Sequence, residues 1–365
     1  MTARLTLGII CGGRSPEHQI SLQSARNVIK AAAESFDILV VGITRNGEWL
    51  LLPTQDFSTG YESPATVQLN TKAGKPVSLV RRQDQAGLLT ADNAFLRLDV
   101  VFPVMHGENG EDGTIQGLLQ LQGLPYVGCD VASSAVCMDK DLTKRLLAAS
   151  GIAVAPGVCI QAHEFAEHDA EVLVREFGLP LFIKPARLGS SVGVSKVKEA
   201  GKLREAIAEA LRYDNKVLVE AAIIGREIEC AVLGNENPAG SIAGEVIPKH
   251  EFYSYEAKYL DDDGADLKAP ADLSPEMHEK VQRAACRAYR VLGCGGLARV
   301  DFFLTPDGQL ILNELNTIPG FTRISMYPKL WELTGVPQPE LMRRLVGLAL
   351  DRHRKQQALL GHQVL

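Results

Sequence analysis

Short apolar runs alternate with an amphipathic stretch through the first third of the chain. Leu5 to Ile10, Ile38 to Ile43 and Val100 to Val104 read as buried strands, and Ser15 to Ala33 carries apolar positions at helical spacing between the first two. Strands separated by helices predict an open α/β sheet with parallel strands. From Pro53 to Asn93 the periodicity fades and turn formers accumulate, which predicts short strands and loops and nothing finer. A helix from about Lys140 to Ser150 and the loop Gly151 to Pro156 lead into a second unit. It holds strand Pro180 to Pro185, a tight loop Gly189 to Gly193, return strand Val194 to Val197, helix Lys202 to Arg212 and strand Lys216 to Glu220. A third unit begins near Ile224 with strand Glu227 to Leu233 and crosses a polar excursion from Pro248 to Pro275. It ends in two apolar-rich strands, Arg299 to Leu304 and Gln309 to Leu315, around the turn signal Thr305-Pro-Asp-Gly308. The expected fold is α/β (α+β) in three domains: an N-terminal open parallel sheet over 1–135, a small central α+β domain over 136–222, and a C-terminal α+β domain over 223–365.

Composition narrows the class. At 365 residues and 46% hydrophobic, the chain can bury real cores in two or three domains. Thirty-eight basic against 44 acidic residues give a net charge of −6 with no basic cluster, which argues against a nucleic-acid partner. Seven cysteines without a CxxC pair, in apolar contexts such as Ile10-Cys11 and Glu229-Cys230-Ala231, read as reduced core thiols. The N-terminus enters a strand without a charged leader and apolar stretch, and no segment approaches a membrane span, so the expected setting is soluble and cytoplasmic.

The chemistry concentrates on the last hairpin. Side chains alternate along a strand, so Arg299 and Asp301 share one face and Glu314 and Asn316 share a face of the return strand. With an even number of residues in the turn, all four lie on one side, and two carboxylates and an amide oxygen form the oxygen-only set that Mg²⁺ prefers. Arg299 beside them can neutralise a transferring phosphoryl group. Scattered polar residues on an exposed hairpin are the plainer alternative, and four of them bracketed by Leu, Ile and Phe weigh against it. The Gly189 to Gly193 loop reads equally as a hairpin turn or as a phosphate cradle, in which the amides of Gly189, Ser190 and Ser191 join the point charges of Lys184 and Lys140. It is not a P-loop, because no GK[ST] opens a helix after it.

Three further stretches carry candidates. Cys11-Gly-Gly-Arg-Ser-Pro-Glu-His18 closes the first strand, and Glu17 in the first helical turn suits either the helix dipole or an ammonium ligand. His106-Gly-Glu-Asn-Gly-Glu-Asp-Gly113 follows a strand at the carboxyl end, where open α/β sheets bind ligands, and a single histidine there is more often a satisfied structural residue than a catalyst. Tyr253-Ser-Tyr-Glu-Ala-Lys-Tyr259 with Asp261-Asp-Asp-Gly264 predicts a lid over about 246–275 that shields reactants from water, or a surface loop with buried tyrosines.

In order and spacing these motifs, with Met138-Asp-Lys140, Lys184-Pro-Ala-Arg-Leu-Gly-Ser-Ser-Val-Gly and Asn313-Glu-Leu-Asn-Thr-Ile-Pro-Gly-Phe-Thr, resemble the ATP-grasp superfamily and within it the D-alanine–D-alanine ligases, over essentially the whole chain. The resemblance implies an ATP-grasp fold and ATP-dependent joining of two D-alanines through D-alanyl phosphate, for peptidoglycan synthesis. Lys140, Lys184 and Ser191 would bind ATP phosphates, Glu220 with the backbone of Ala221 and Ile223 the adenine, and Glu227 the ribose. Asp301, Glu314 and Asn316 would hold two Mg²⁺ ions, with Mn²⁺ as a substitute and a monovalent cation as a further candidate. Arg299 and the Gly320 amide would stabilise the oxyanion, and Lys258 would steady the transferred phosphate. Glu17 would anchor the first ammonium, linked through Ser190 to Tyr259, with His106 near the substrate and Ser325 on the second carboxylate. A homodimer is also implied. The rivals are a D-alanine–D-lactate ligase, disfavoured by Tyr259 where depsipeptide-forming relatives carry phenylalanine, another ATP-grasp carboxylate–amine ligase, and an inactive nucleotide-binding regulator.

Overall fold

The computed structural model describes residues 4–57, 67–249 and 265–359. Of the lid expected over about 246–275, the two ends are paired antiparallel strand, up to Pro248 and from Ala265 to Lys268, and residues 250–264, with Lys258 and Tyr259, lie outside the described residues.

In the first sheet, β1 (Thr6–Gly12) is followed by helix α1 (His18–Ala32) and by β2 (Asp37–Ile43). The strands β3 (Trp49–Leu52), β4 (Lys75–Arg82), β5 (Gln85–Thr90), β6 (Phe95–Arg97) and β7 (Val100–Val104) complete the order β6-β5-β4-β3-β2-β1-β7. The expected parallel sheet is present at its centre, where β1 pairs in parallel with both β2 and β7. It is extended by four antiparallel strands, which are what the region after Pro53 and its neighbours contribute. The connections explain the switch. The turn between β4 and β5 is Gln83-Asp84, with Gln83 in the left-handed region at φ 54°, and a two-residue link can join only antiparallel neighbours.

Helices α2 (Thr114–Leu121), α3 (Val131–Met138) and α4 (Lys140–Ala149) lead to the second sheet. Only Asp139 separates α3 from α4; its Oδ1 accepts the N–H groups of Asp141 and Leu142 and caps α4. The same carboxylate meets Lys216 Nζ at 2.9 Å, and Asp141 meets that ammonium at 2.7 Å. This buried triad fixes the start of α4, and with it Lys140 and Lys144, against the sheet that follows. That sheet contains β8 (Gly157–Gln161), β9 (Leu181–Pro185), β10 (Ser195–Val197) and β11 (Lys216–Ala221) in the order β10-β9-β11-β8, backed by α5 (Ala170–Phe177) and α6 (Leu203–Ala210).

The third sheet runs β14-β13-β12-β15-β16, from β12 (Arg226–Gly234), β13 (Ala239–Pro248), β14 (Ala265–Lys268), β15 (Gly296–Leu304) and β16 (Leu310–Asn316). Helix α7 (Pro275–Val291) covers it, with Ser274 as N-cap and Pro275 opening the first turn. Helices α8 (Met326–Leu333) and α9 (Gln338–Gln357) return to the first sheet, so one core joins Leu7, Val100 and Phe102 to Tyr327, Leu330, Leu341 and Leu345. Six of the seven cysteines are buried and all are free thiols, as their apolar contexts indicate.

The hairpin β15-β16 departs from simple parity. Leu304 pairs with Leu310, leaving five loop residues, Thr305 to Gln309, and an odd loop would turn Glu314 and Asn316 away from Asp301. The register shifts between Asp301 and Phe302, with Asn313 as the extra residue of a β-bulge. Beyond it Asp301 faces Glu314 and Arg299 faces Asn316, so the four residues share a face because the bulge restores what the turn removes.

The core joining the first sheet to α9 gives a stability prediction. Leu345→Ala empties a fully buried position in that core and is expected to cost about 2–5 kcal/mol, read as a lower urea midpoint at unchanged slope.

Candidate functional site

The cleft lies where the carboxyl ends of β1 and β7 face the third sheet, and its walls include Glu17, His106, Glu227, Arg299, Asp301, Glu314, Asn316, Gly320 and Ser325. The structure therefore brings the expected substrate and metal candidates together from four separate stretches of chain.

Glu17 precedes α1 as its N-cap residue, yet its side chain makes no cap hydrogen bond. Its Oε1 accepts the hydroxyl proton of Ser190, which links the first sheet to the glycine-rich loop. Ser190 and Ser191 both occupy the left-handed region, at φ 51° and 60°. Gly107 closes over the same carboxylate: at φ 70°, a Cβ there would sit 2.6 Å from Glu17 Oε2.

His106 is buried with both ring nitrogens occupied by protein. Nδ1 lies 2.9 Å from the Ile318 carbonyl, which can only accept, so Nδ1 carries the proton and Nε2 accepts from Ser24 Oγ at 2.9 Å. Burial, partly offset by Glu17, pushes its pKa down and favours this neutral form. Glu111, from the same loop, went unassigned in the sequence, and no spacing marks it. It accepts the N–H groups of Gly107 at 2.8 Å and Ile318 at 3.1 Å, tying the loop after β7 to the loop after β16. Burial, with the charge of Glu17 nearby, pushes its carboxyl up to about 8.

On the hairpin, Arg299 grips Asp301 with Nε and Nη2 at 2.8 and 2.7 Å and meets Glu229 at 3.3 Å. Burial opposes its charge, but the two carboxylates outweigh it and raise its pKa well above the usual value. Asn316 Nδ2 donates to Asp301 Oδ2 at 2.9 Å. Glu229 was also missed, although it stands two residues from Glu227 on one strand face, a spacing the sequence displays. Gly320 approaches α8 so closely that a Cβ would lie 2.6 Å from Ser325 Oγ. Ser325 Oγ accepts the Thr322 N–H at 2.9 Å.

The nucleotide candidates group around β9 and β11. Lys140 Nζ donates to the Leu188 carbonyl at 2.6 Å, beside the glycine-rich loop. Lys184 Nζ meets Glu220 Oε2 at 2.9 Å and Asn313 Oδ1 at 3.5 Å, so the bulge residue adjoins this group. Glu220 is 2% exposed, and its Oε1 meets Lys144 Nζ at 2.6 Å. Burial pushes the Glu220 carboxyl up, but the two ammonium groups outweigh that and hold it at about 2. Burial also opposes the charge of Lys184, yet Glu220 outweighs it and raises its pKa, whereas Lys144 is lowered by burial that Glu220 only partly offsets. Lys144 was not singled out in the sequence; it stands four residues after Lys140, on the same helix face. The Ala221 N–H is bonded to the Pro156 carbonyl, which leaves the Ala221 carbonyl rather than its amide for a ligand, and Ile223 follows β11 in a half-buried position.

Two family models match the chain, one described as D-ala D-ala ligase N-terminus over residues 6–129 and one as D-ala D-ala ligase C-terminus over residues 146–347. The D-alanine–D-alanine ligase A of Chromobacterium violaceum is 48% identical over 98% of this chain and 98% of its own length. Among solved structures, the D-alanine–D-alanine ligase from Coxiella burnetii superposes with a TM-score of 0.87 at 40% identity, covering 98% of this chain and 97% of that one. The VanG D-Ala:D-Ser ligase from Enterococcus faecalis superposes with a TM-score of 0.83 at 38% identity, covering 95% and 100%. Fold and cleft are those of an ATP-grasp ligase, an enzyme class that uses ATP and a divalent metal. Within that class the chain belongs to the D-alanine–D-alanine ligase family.

The tight closure of Gly107 over Glu17 gives a test of the cleft. Gly107→Ala is expected to displace that carboxylate and cut ADP formation about 100-fold, with circular dichroism unchanged.

Proposed function

We propose that this chain joins two D-alanine molecules into D-alanyl-D-alanine, converting ATP to ADP and phosphate, and so supplies a precursor for peptidoglycan. The observation that carries this reading is the convergence in one cleft of Glu17, Arg299 and Ser325, a carboxylate for an ammonium, a cation for an oxyanion and a hydroxyl for a second carboxylate.

The chemistry needs activation, because a carboxylate is a poor acyl donor in water. A carboxylate oxygen of the first D-alanine attacks the γ-phosphorus and ADP leaves. The amine of the second attacks the resulting acyl carbon, the carbon–oxygen bond to phosphate breaks, and the amine gives up a proton. Glu17, held by Ser190, would anchor the first ammonium. Arg299 and the Gly320 amide would face the oxyanion, and Ser325 would orient the second carboxylate, donating its hydroxyl hydrogen while its oxygen accepts the Thr322 N–H at 2.9 Å and the Thr322 hydroxyl at 2.8 Å. His106 would shape the substrate cavity as a neutral ring rather than titrate. Lys140, Lys184 and Ser191 would take the phosphates, Glu220 with the Ala221 carbonyl and Ile223 the adenine, and Glu227 the ribose. Lys258 and Tyr259 would complete the site from the lid.

The hairpin residues fit a hard cation. Asp301, Glu314 and Asn316 share one face and offer oxygen donors, and a half-turn of the Asn316 amide would present Oδ1 beside Asp301 in place of Nδ2. They would hold two Mg²⁺, or Mn²⁺, and the metal when bound would neutralise charge on the phosphates; a monovalent cation is a further candidate. Three domains, 1–135, 136–222 and 223–365, a homodimer and a cytoplasmic setting belong to the same proposal. Among the described residues no helix is long and apolar enough to cross a membrane.

The test is phosphate release from Mg-ATP with D-alanine, L-alanine, D-lactate or D-serine alone and with D-alanine paired with each of the last two, products identified by mass. Release with D-alanine alone and a D-alanyl-D-alanine product is expected; release only in a mixed pair would replace the dipeptide with that product. Arg299→Ala is expected to abolish turnover while ADP still binds by calorimetry, and lost ADP binding would make Arg299 a nucleotide-positioning group instead.

A further inference from the structure

The Lys144–Glu220–Lys184 cluster is built differently from the other ion pairs of the cleft. Glu220 is 2% exposed, and among the described residues its oxygens take no hydrogen bond beyond the two ammonium contacts at 2.6 and 2.9 Å. Among the described residues no backbone N–H supports the charge, and two lysines keep it compensated. The lysines differ in their surroundings. Lys184 is the more exposed of the two, 16% against 8%, and also reaches toward Asn313 on the bulge. Lys144 has no hydrogen-bonding partner beyond its contact with Glu220 among the described residues. A nucleotide phosphate that draws Lys184 away would strand Glu220 unless a second cation stayed behind, and Lys144 has nowhere else to go.

We propose that Lys144 is a positioning residue for nucleotide binding: it is the standing counter-ion of Glu220 that lets Lys184 leave that carboxylate for the phosphates. This rests on the reading of Lys184 as a phosphate ligand. The α4 helix holds Lys144 in place for this, because its start is pinned by the Asp139 cap and by Lys216. Lys144 touches no nucleotide in this scheme and acts only through Glu220.

A double-mutant cycle read by ADP calorimetry tests it. Lys144→Met is expected to weaken ADP about 100-fold, because Lys184 then becomes the sole counter-ion of a buried carboxylate. In a Glu220→Gln background there is no carboxylate to strand, and adding Lys144→Met should change ADP affinity less than about threefold. Lys144→Arg, which keeps the charge, should restore binding. In turnover, the KM for ATP should rise while kcat and the KM for D-alanine hold. Equal losses in both backgrounds, or no loss from Lys144→Met, would overturn the proposal. Lys184→Met, measured in parallel, separates this from failure of the underlying reading: unchanged ADP affinity in that variant would remove Lys184 from the phosphates, whereas weakened affinity beside a flat cycle would remove Lys144 alone. Should Lys144→Met not fold, Lys144→Gln carries the same comparison, and the double variant, which removes the Glu220 and Lys144 charges together and leaves Lys184 its contact with Asn313, separates lost folding from lost nucleotide binding.

Discussion

An ionised group buried in protein must be held against opposite charge or give up its charge by gaining or losing a proton, since leaving it alone costs several kcal/mol, and the cleft of this enzyme is organised by that requirement. Glu220 stays ionised between Lys144 and Lys184, Lys216 between Asp139 and Asp141, and Arg299 between Asp301 and Glu229. Each cluster joins elements far apart in the chain. Helix α4 is thereby bound to β11 and β9, and the hairpin to β12. Pairing of this kind adds little net stability over an apolar core, but it fixes which side chains meet, and the reaction depends on that placement.

A second set of contacts ties the first sheet to the loop that carries Gly320. His106 bonds the Ile318 carbonyl, Glu111 accepts the Ile318 N–H, Ser24 accepts the Phe321 N–H, and Asn27 donates to the Phe321 carbonyl. The backbone of Ile318 and Phe321 is thus held by residues 207 to 297 positions away in the chain, and the shared core beneath, running from β1 and β7 into α8 and α9, keeps the two sides in register. In the reading proposed above the Gly320 N–H serves an oxyanion, and such a donor is useful only if it is aimed before charge develops; a loop anchored at both carbonyl and amide is aimed in advance.

The same scaffold extends to a solved D-Ala:D-Ser ligase at 38% identity. A fold that serves ligases with different named substrates leaves the choice of second substrate to a few side chains around one subsite. In the reading proposed above Ser325 lies in that subsite, and Gly320 stands so close to it that a Cβ there would meet the Ser325 hydroxyl at 2.6 Å.

The sequence by itself determined the central strands of the first sheet, the glycine-rich loop between its two strands, the last hairpin, the family and many of the polar residues that line the cleft, because period, turn chemistry and motif spacing are local properties. Val100 to Val104 is a strand at the expected bounds, and the helix expected from Lys140 to Ser150 runs from Lys140 to Ala149. The antiparallel extension of the first sheet was not legible, since its strands are short and weakly periodic. Nor was the Asn313 bulge, which shifts the register by one residue and so decides the face on which Glu314 and Asn316 stand. Glu111 and the neutral tautomer of His106 depend on backbone groups of Ile318, more than 200 residues away, and the pairing of Lys144 with Glu220 on the packing of α4 against β11. Tertiary structure alone decided these, because burial and charge partnership are set by what the fold brings into contact, and a side chain's neighbours in space are not its neighbours in the chain.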